Sequence, residues 1–346
     1  MSQRAGVPAK AGRKSKSTSA SASVAGPKLT LSLTDLDDMT LRRVKQLGVD
    51  HVTMSGPAIP WNEVEIRWRM EKLAPYGMKL ANLMFAGFPN AIYNRPGRDA
   101  DIDKVIKSIK VAGKLGLPVM EYNFYAHRIV EGYYDGEGRG GSALAAFDFA
   151  RVKDLPPLPE EGAHTKEALW KNITYFLKAV VPVAEEAGVR LALHPNDPPP
   201  PISRGSEQIM GSLADWKRLL DIVPSTSNGM TFDCGVTREL GEDPVSVCCY
   251  MGERDRINHM HYRNVKTHTP RLKYTEVFLD EGEVDMFAVM KELVRQKYPR
   301  LVYPEHPPLL DADRERPFKG THDRYTGFAY TVGYARAMLQ AATATV

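Results

Sequence analysis

His194, Asp233, His261 and Glu305 each end a short apolar-rich segment: Val189 to Leu193, Met230 to Phe232, Ile257 to Met260 and Leu301 to Pro304. Two imidazoles and two carboxylates make a mixed nitrogen and oxygen set suited to Mn²⁺, Fe²⁺, Co²⁺ or Zn²⁺. The segment ending at His194 is the clearest. In Leu191-Ala-Leu-His-Pro-Asn-Asp-Pro-Pro-Pro-Pro-Ile202 the apolar residues read as a buried strand, stopped by Pro195 and the prolines from Pro198 onward. Proline cannot join a sheet ladder, so a His, an Asn and an Asp are held in a stiff loop at the strand's C-terminal end. His194 alone is better explained as a packed or surface group, whereas Glu305, which ends an apolar strand next to Pro304 and Pro307, is hard to explain as a solvated surface acid. Four strand-end ligands in succession are the signal.

Cys234 competes with Asp233 for the second position. Neighbours on a strand point to opposite faces, so both can aim at one ion only if Gly235 turns the chain. Asp233 is the expected ligand and Cys234 the alternative. His259 lies two residues before His261, on the same strand face but deeper, and reads as packing or as a partner of a ligand. Around the same mouth fall His306, Arg263, Asn264, Tyr325, Tyr122, Asn123 and Asn196. Arg263 is a candidate clamp for a substrate carboxylate, since its planar fork pairs both oxygens. His306 and Tyr325 are candidates for proton transfer, although a ring packed at the start of the last helix explains Tyr325 equally well. Tyr122, Asn123, Asn196 and Asn264 are expected to bind substrate.

The elements that must position these groups alternate. The intervals from His194 to Asp233, His261 and Glu305 are 39, 28 and 44 residues, and a barrel of roughly 250 residues in eight βα units averages about 31 each. Strands are expected at 29–33, 51–54, 79–85, 118–124, 189–193, 228–233, 257–263 and 301–305. Helices are expected near 35–47, 61–74, 101–115, 165–187, 206–220, 243–255, 285–296 and 325–341. Strands alternating with helices imply a parallel sheet, and eight units with polar residues gathered at strand ends favour an α/β fold of the (β/α)8 TIM-barrel type. Residues 125–165 break the rhythm with Gly-Glu-Gly-Arg-Gly-Gly at 136–141 and Pro156-Pro157-Leu158-Pro159. They read as a long loop after the fourth strand, acting as a lid.

Hydrophobic residues at 43% and charged residues at 25% suit a soluble globular protein, and no apolar run approaches the roughly 18–20 residues that span a bilayer. The net charge of +4 invites a nucleic-acid reading, yet residues 1–28 carry six basic residues and no acid, which leaves the rest at −2. Residues 1–27, rich in Ser, Ala, Gly and Lys without an aromatic, are expected to be a disordered basic tail, and 28–346 one catalytic barrel domain. Three cysteines, two of them adjacent, make no disulfide framework and fit a cytoplasmic setting.

At these residues the chain resembles the mannonate dehydratase family of the xylose isomerase-like barrels. His194-Pro-Asn-Asp-Pro-Pro199 is similar to the family's His-Pro-Asp-Asp-Pro-Pro. Asn228-Gly-Met-Thr-Phe232, His261-Tyr-Arg-Asn-Val265, Glu276 with Asp280 to Met286, and Tyr122-Asn-Phe124 resemble further family blocks, and Tyr325 falls where the family has a Tyr opening the final helix. The resemblance implies a divalent metal, Mn²⁺ or Fe²⁺, with ligands at His194, His261 and Glu305, and with His306 and Tyr325 near the proton transfers. It implies loss of water from a sugar acid to give a 2-keto-3-deoxy acid through a metal-stabilised enediolate. Mn²⁺ is the expected ion. This chain has Phe232-Asp-Cys-Gly235 where the family has Phe-Cys-Thr-Gly, Glu305 where it has Asp, His306-Pro307 where it has His-Gly, and Asn196 in place of an acid. Asp and Glu at these places are similar to the related sugar isomerases and epimerases, so a divalent-metal isomerase or epimerase is the alternative. A DNA-repair endonuclease and a non-catalytic sugar-binding barrel rank below both. The expected partner is a small sugar acid or sugar, with neither nucleic acid nor membrane; a homo-oligomer is left open.

Overall fold

The structure, a computed structural model, describes residues 26–315 and 324–346. The basic stretch 1–27, apart from Gly26 and Pro27, lies outside the described residues. In chain order the strands are β1 (Lys28–Leu33), β2 (His51–Ser55), β3 (Lys79–Phe85), β4 (Val119–Tyr122), β5 (Tyr133–Glu137), β6 (Ala143–Asp148), β7 (Arg190–Leu193), β8 (Asn228–Asp233), β9 (Ile257–His261), β10 (Asn264–Thr269), β11 (Lys273–Val277) and β12 (Leu301–Tyr303). The main helices are α1 (Asp38–Gln46), α2 (Glu63–Leu73), α3 (Arg98–Lys114), α4 (Lys166–Glu186), α5 (Leu213–Ile222), α6 (Cys234–Glu239), α7 (Pro244–Gly252), α8 (Met286–Arg295) and α9 (Tyr325–Thr345).

Eight of the strands run parallel and close a barrel in the order β1-β12-β9-β8-β7-β4-β3-β2. Strands covered on both faces need apolar residues nearly throughout, and β4, β8, β9 and β12 are buried along their whole length. The helices begin where side chains can take up their free N–H groups. Asp37, Thr165, Ser212 and Asp285 accept from Thr40, Ala168, Asp215 and Ala288 backbone N–H, respectively. Among the described residues no helix is long and apolar enough to cross a membrane, and Cys234, Cys248 and Cys249 are all free thiols.

Two expectations about the connections are corrected. Residues 125–165 are not a plain loop: β5 and β6 form a hairpin whose second strand pairs with β11, giving an antiparallel sheet in the order β10-β11-β6-β5. The Gly-rich run is the hairpin turn, with Gly140 and Gly141 at φ 65° and 77°, a region glycine enters without steric cost. The helix read from Ser206 starts instead after Ser212. Ser206 and Glu207 pair with Ser203 and Ile202, and the Gln208 amide donates to the carbonyls of Pro198 and Pro200. The polar run thus ties down the proline loop before any helix begins.

Candidate metal centre

Main-chain register brings the centre together. In the parallel ladders Asp233 is the partner of His261, and His261 of Tyr303, two residues before Glu305. On the other side Leu193 pairs with Met230 and Tyr122, and the His194 N–H donates to the Tyr122 carbonyl at 2.9 Å. His194, Asp233, His261 and Glu305 are all buried, and each offers a ligand atom within 4.8 Å of the others. The four form a set that can hold a metal ion.

The local hydrogen bonds show which atoms face inward. His194 Nδ1 lies 2.8 Å from the Pro195 carbonyl, which accepts but cannot donate, so Nδ1 carries the proton and Nε2 a lone pair. That Nε2 is 3.2 Å from His261 Nδ1. Glu305 Oε1 is 2.8 Å from the same Nδ1, too far off axis for a hydrogen bond, and it has no aligned partner elsewhere. Asp233 divides its oxygens: Oδ1 accepts from the Val236 N–H at 2.8 Å and caps α6, while Oδ2 lies 3.9 Å from His261 Nδ1. Burial raises the Asp233 carboxyl, with Arg263 opposing it, and burial works against charge on His261 while Glu305 and Glu121 bring it up to about 9. Converging lone pairs, two carboxylates and an unaligned buried oxygen fit a divalent cation, which would relieve the repulsion that burial leaves uncompensated. Cys234 is turned away. Its sulfur faces the carbonyls of His261 and Arg263 at 3.5 and 3.2 Å, and burial pushes its thiol up.

His194, His261 and Glu305 line one side of a cavity of about 680 Å³ at the C-terminal mouth of the barrel, with Asp233 buried behind them. Its walls include Asn123, Asp197, Glu276, His306, Arg128 and Arg324, together with Tyr133 from β5. His306 adopts φ 48°, a left-handed conformation that costs a non-glycine residue about 1–3 kcal/mol. Its Nδ1 is tied to Glu276 and its Nε2 lies 3.5 Å from Glu305. Burial opposes its charge, but Glu276 and Glu305 bring it up to about 9. The Tyr133 hydroxyl is within 3.2 Å of Asp197, Glu276 and the Tyr274 hydroxyl, which itself reaches Asp197 at 3.2 Å. Burial works against a charged Asp197, yet Arg263 and Arg128 hold it well below the usual carboxylate range.

Five of the expected substrate-handling residues are placed elsewhere. Arg263 is fully buried and absent from the cavity wall. Its guanidinium meets Asp233 at 3.0 Å, Glu239 at 2.8 Å, Asp197 at 3.3 Å, Glu305 at 3.4 Å and Glu276 at 3.5 Å. It clamps the protein's own carboxylates rather than a substrate's. Gly235 is what makes room, since a Cβ there would meet Arg263 Cγ at 2.7 Å. Tyr122 alternates outward from β4, and its ring stacks on Phe85 at 5.2 Å and packs against Phe176 at 5.8 Å. Asn196 bonds both ways with the Met210 backbone. Asn264 donates to Leu279 and Val284 carbonyls and accepts from Val265 and Val284 N–H groups, so its amide has no capacity left for substrate. The Tyr325 hydroxyl points to the Arg43 carbonyl on α1, 3.3 Å away, not to the cavity.

Glu121, Tyr133 and Arg128 are wall residues for which the sequence suggested no role, and Asp197, expected only as part of the stiff proline loop, is a fourth. Glu121 had a usable signal. It is an acid inside the apolar strand Val119-Met-Glu-Tyr122, and alternation puts it on the same inward face as Asn123. Arg128 and Tyr133 had none, because Tyr133 opens β5 of a sheet that no local pattern announces and Arg128 lies in the irregular segment just before it.

The D-mannonate dehydratase (UxuA) family model matches residues 160–345. The mannonate dehydratase of Thermotoga maritima is 30% identical over 344 residues, covering 87% of this chain and 94% of that protein. The mannonate dehydratase of Enterococcus faecalis is also 30% identical, over 343 residues, covering 87% of this chain and 94% of that one. Among solved structures, mannonate dehydratase from Streptococcus suis serotype 2 superposes with a TM-score of 0.81 at 28% identity, covering 91% of this chain and 96% of that chain. A D-allulose 3-epimerase from Methylomonas sp. superposes at TM-score 0.55 and 12% identity, covering 90% of this chain and 96% of that chain, a likeness of fold alone.

Proposed function

This chain belongs to the D-mannonate dehydratase family and is a sugar-acid hydro-lyase; from that premise we propose that it converts a hexonate, mannonate in the first instance, to a 2-keto-3-deoxy acid. His194, Asp233, His261 and Glu305 would hold one divalent cation, Mn²⁺ by preference, with Fe²⁺, Co²⁺ or Zn²⁺ as substitutes. When bound, that cation supplies Lewis-acid polarisation and an anchor for substrate oxygens. The observation that carries the reading is the convergence of these four groups on one point, three of them lining a cavity whose other walls bear Arg128, Arg324 and His306.

The reaction removes a proton from C2 and expels the C3 hydroxyl as water, and the enol left behind becomes the 2-keto acid. Expulsion of hydroxide needs a proton at the leaving oxygen. His306 is the group we assign to it: Glu276 fixes Nδ1, which leaves Nε2 as the nitrogen that exchanges a proton on the cavity side. Arg128 and Arg324 supply the positive charge for a substrate carboxylate that Arg263 was expected to give. Asn123 is retained as a substrate-binding residue, since it lines the cavity. Residues 28–346 act as one catalytic domain in this reading.

Incubating the purified protein with Mn²⁺ and a panel of aldonates should release a 2-keto-3-deoxy acid, and removing the metal with a chelator should stop it. His194→Ala or His261→Ala should abolish the one bound cation per chain, whereas Cys234→Ser should keep it. Turnover of neutral ketoses with no 2-keto-3-deoxy acid from any aldonate would favour an isomerase or epimerase, the reading that the Asp233 and Glu305 carboxylates allow.

A further inference from the structure

Glu121 lies on β4 against the face of His261 that turns away from the other three ligands. His261 Nδ1 points at His194, Asp233 and Glu305, while its Nε2 is 3.4 Å from Glu121 Oε1. Glu121 is itself fixed. Its Oε1 accepts from the Thr231 hydroxyl on β8 at 2.7 Å and its Oε2 from the Asn82 amide on β3 at 2.8 Å. The remaining neighbour, His259, is fully buried without a hydrogen bond at either nitrogen; its Nε2 is 4.0 Å from Glu121, and its ring meets His261 edge-on at 5.0 Å. At that distance His259 does not compete with His261 for the carboxylate.

A neutral imidazole carries one proton, and only the other nitrogen can bind a cation. A carboxylate facing Nε2 draws the proton there and leaves the lone pair on Nδ1. We infer that Glu121 is the positioning residue of the metal centre: it selects the His261 tautomer whose Nδ1 lone pair converges with His194, Asp233 and Glu305. Because Thr231 and Asn82 anchor Glu121 from two other strands, the selection is built into the barrel interior, below the loops that shape the cavity. Glu121 does not itself need to touch substrate. The inference rests on the metal-centre reading above and deepens it.

The test uses the full chain, stripped of metal and titrated with Mn²⁺, alongside the Zn²⁺-loaded protein labelled with ¹⁵N-histidine. In the wild type, His261 should show a protonated Nε2 beside the carboxylate and a metal-shifted Nδ1. Glu121→Gln should weaken Mn²⁺ binding by about 10–100-fold, the range for losing such an outer partner, and should move the Nε2–H resonance upfield or lose it to exchange. Thr231→Val, which leaves the carboxylate but removes one of its anchors, should shift the same resonance and weaken binding less; it serves if Glu121→Gln does not fold. Equal affinity and an unmoved resonance in the variant that folds would overturn the inference and leave the metal centre intact. A wild-type chain binding two cations, one of them lost in His259→Ala, would also overturn it, because the second ion would occupy Nε2. A wild-type chain that binds no divalent cation would overturn the metal reading and this inference with it.

Discussion

On the barrel side of the cavity, Asp233 and His261 are neighbours because β8 and β9 run parallel and pair them directly beyond a register shift at Met230/Thr231. On the roof side, Tyr133 reaches Asp197 and Glu276 only because a hairpin from one part of the chain pairs with β11 far along it, Phe147 opposite Tyr274. The first wall is held by backbone hydrogen bonds that any side chains at those positions would inherit. The second also rests on a backbone ladder, but what it presents to the cavity is fixed by side chains, with two tyrosine hydroxyls on Asp197 and Glu276 and arginines around them. One consequence is a division of labour, with Asp233 and His261 placed by the ladder and the opposite cavity surface free to vary with the roof. Arg263 joins the two, since it touches Asp233 and Glu305 on one wall and Asp197 and Glu276 on the other.

Breaking that joint should have the largest effect. Arg263→Met leaves five buried carboxylates without their shared cation, and stranding buried charge costs about 3–5 kcal/mol. We expect a lower melting temperature and poor soluble yield. A variant that folds normally and loses only affinity for the sugar acid would instead mean that Arg263 acts as a substrate clamp. His306→Asn comes next, on the seam between the walls. It should cut turnover by about 10²–10⁴-fold with metal content unchanged; loss of metal would assign His306 to the ligand wall.

Tyr133→Phe tests the roof by itself. Removing a hydroxyl shared among Asp197, Glu276 and Tyr274 should cost about 0.5–1.5 kcal/mol of stability and raise KM for the sugar acid, with Mn²⁺ affinity unchanged. A change in metal affinity would show that the two walls are not separable. Tyr325→Phe should have the smallest effect. Its hydroxyl serves the Arg43 carbonyl on the barrel's outside, so kcat and KM should both stay at wild-type values, and a loss in kcat would return Tyr325 to the proton transfers.

His194, Asp233, His261 and Glu305 were legible as strand-end residues because proline, glycine and apolar runs mark where strands stop, a local property of the chain. The barrel was legible for the same reason, since eight alternations of period and length need no knowledge of distant contacts. Within the strands, alternation also contained Glu121, as it contained the outward turn of Tyr122. Direction was what the sequence left open. Arg263, Asn196 and Asn264 lie near the strand ends as expected, yet their polar groups point at protein atoms, and that depends on which carbonyls and carboxylates other segments bring near. The roof was hidden for a related reason: β5 and β6 gain their order from β11, more than 120 residues away, and a glycine-rich run without its partner looks like a loop. Local composition therefore determined the strand ends and the residue types gathered at them. Long-range pairing and the satisfaction of buried charge decided which polar residues face the cavity, because burying an unpaired group costs more than any local preference can offset.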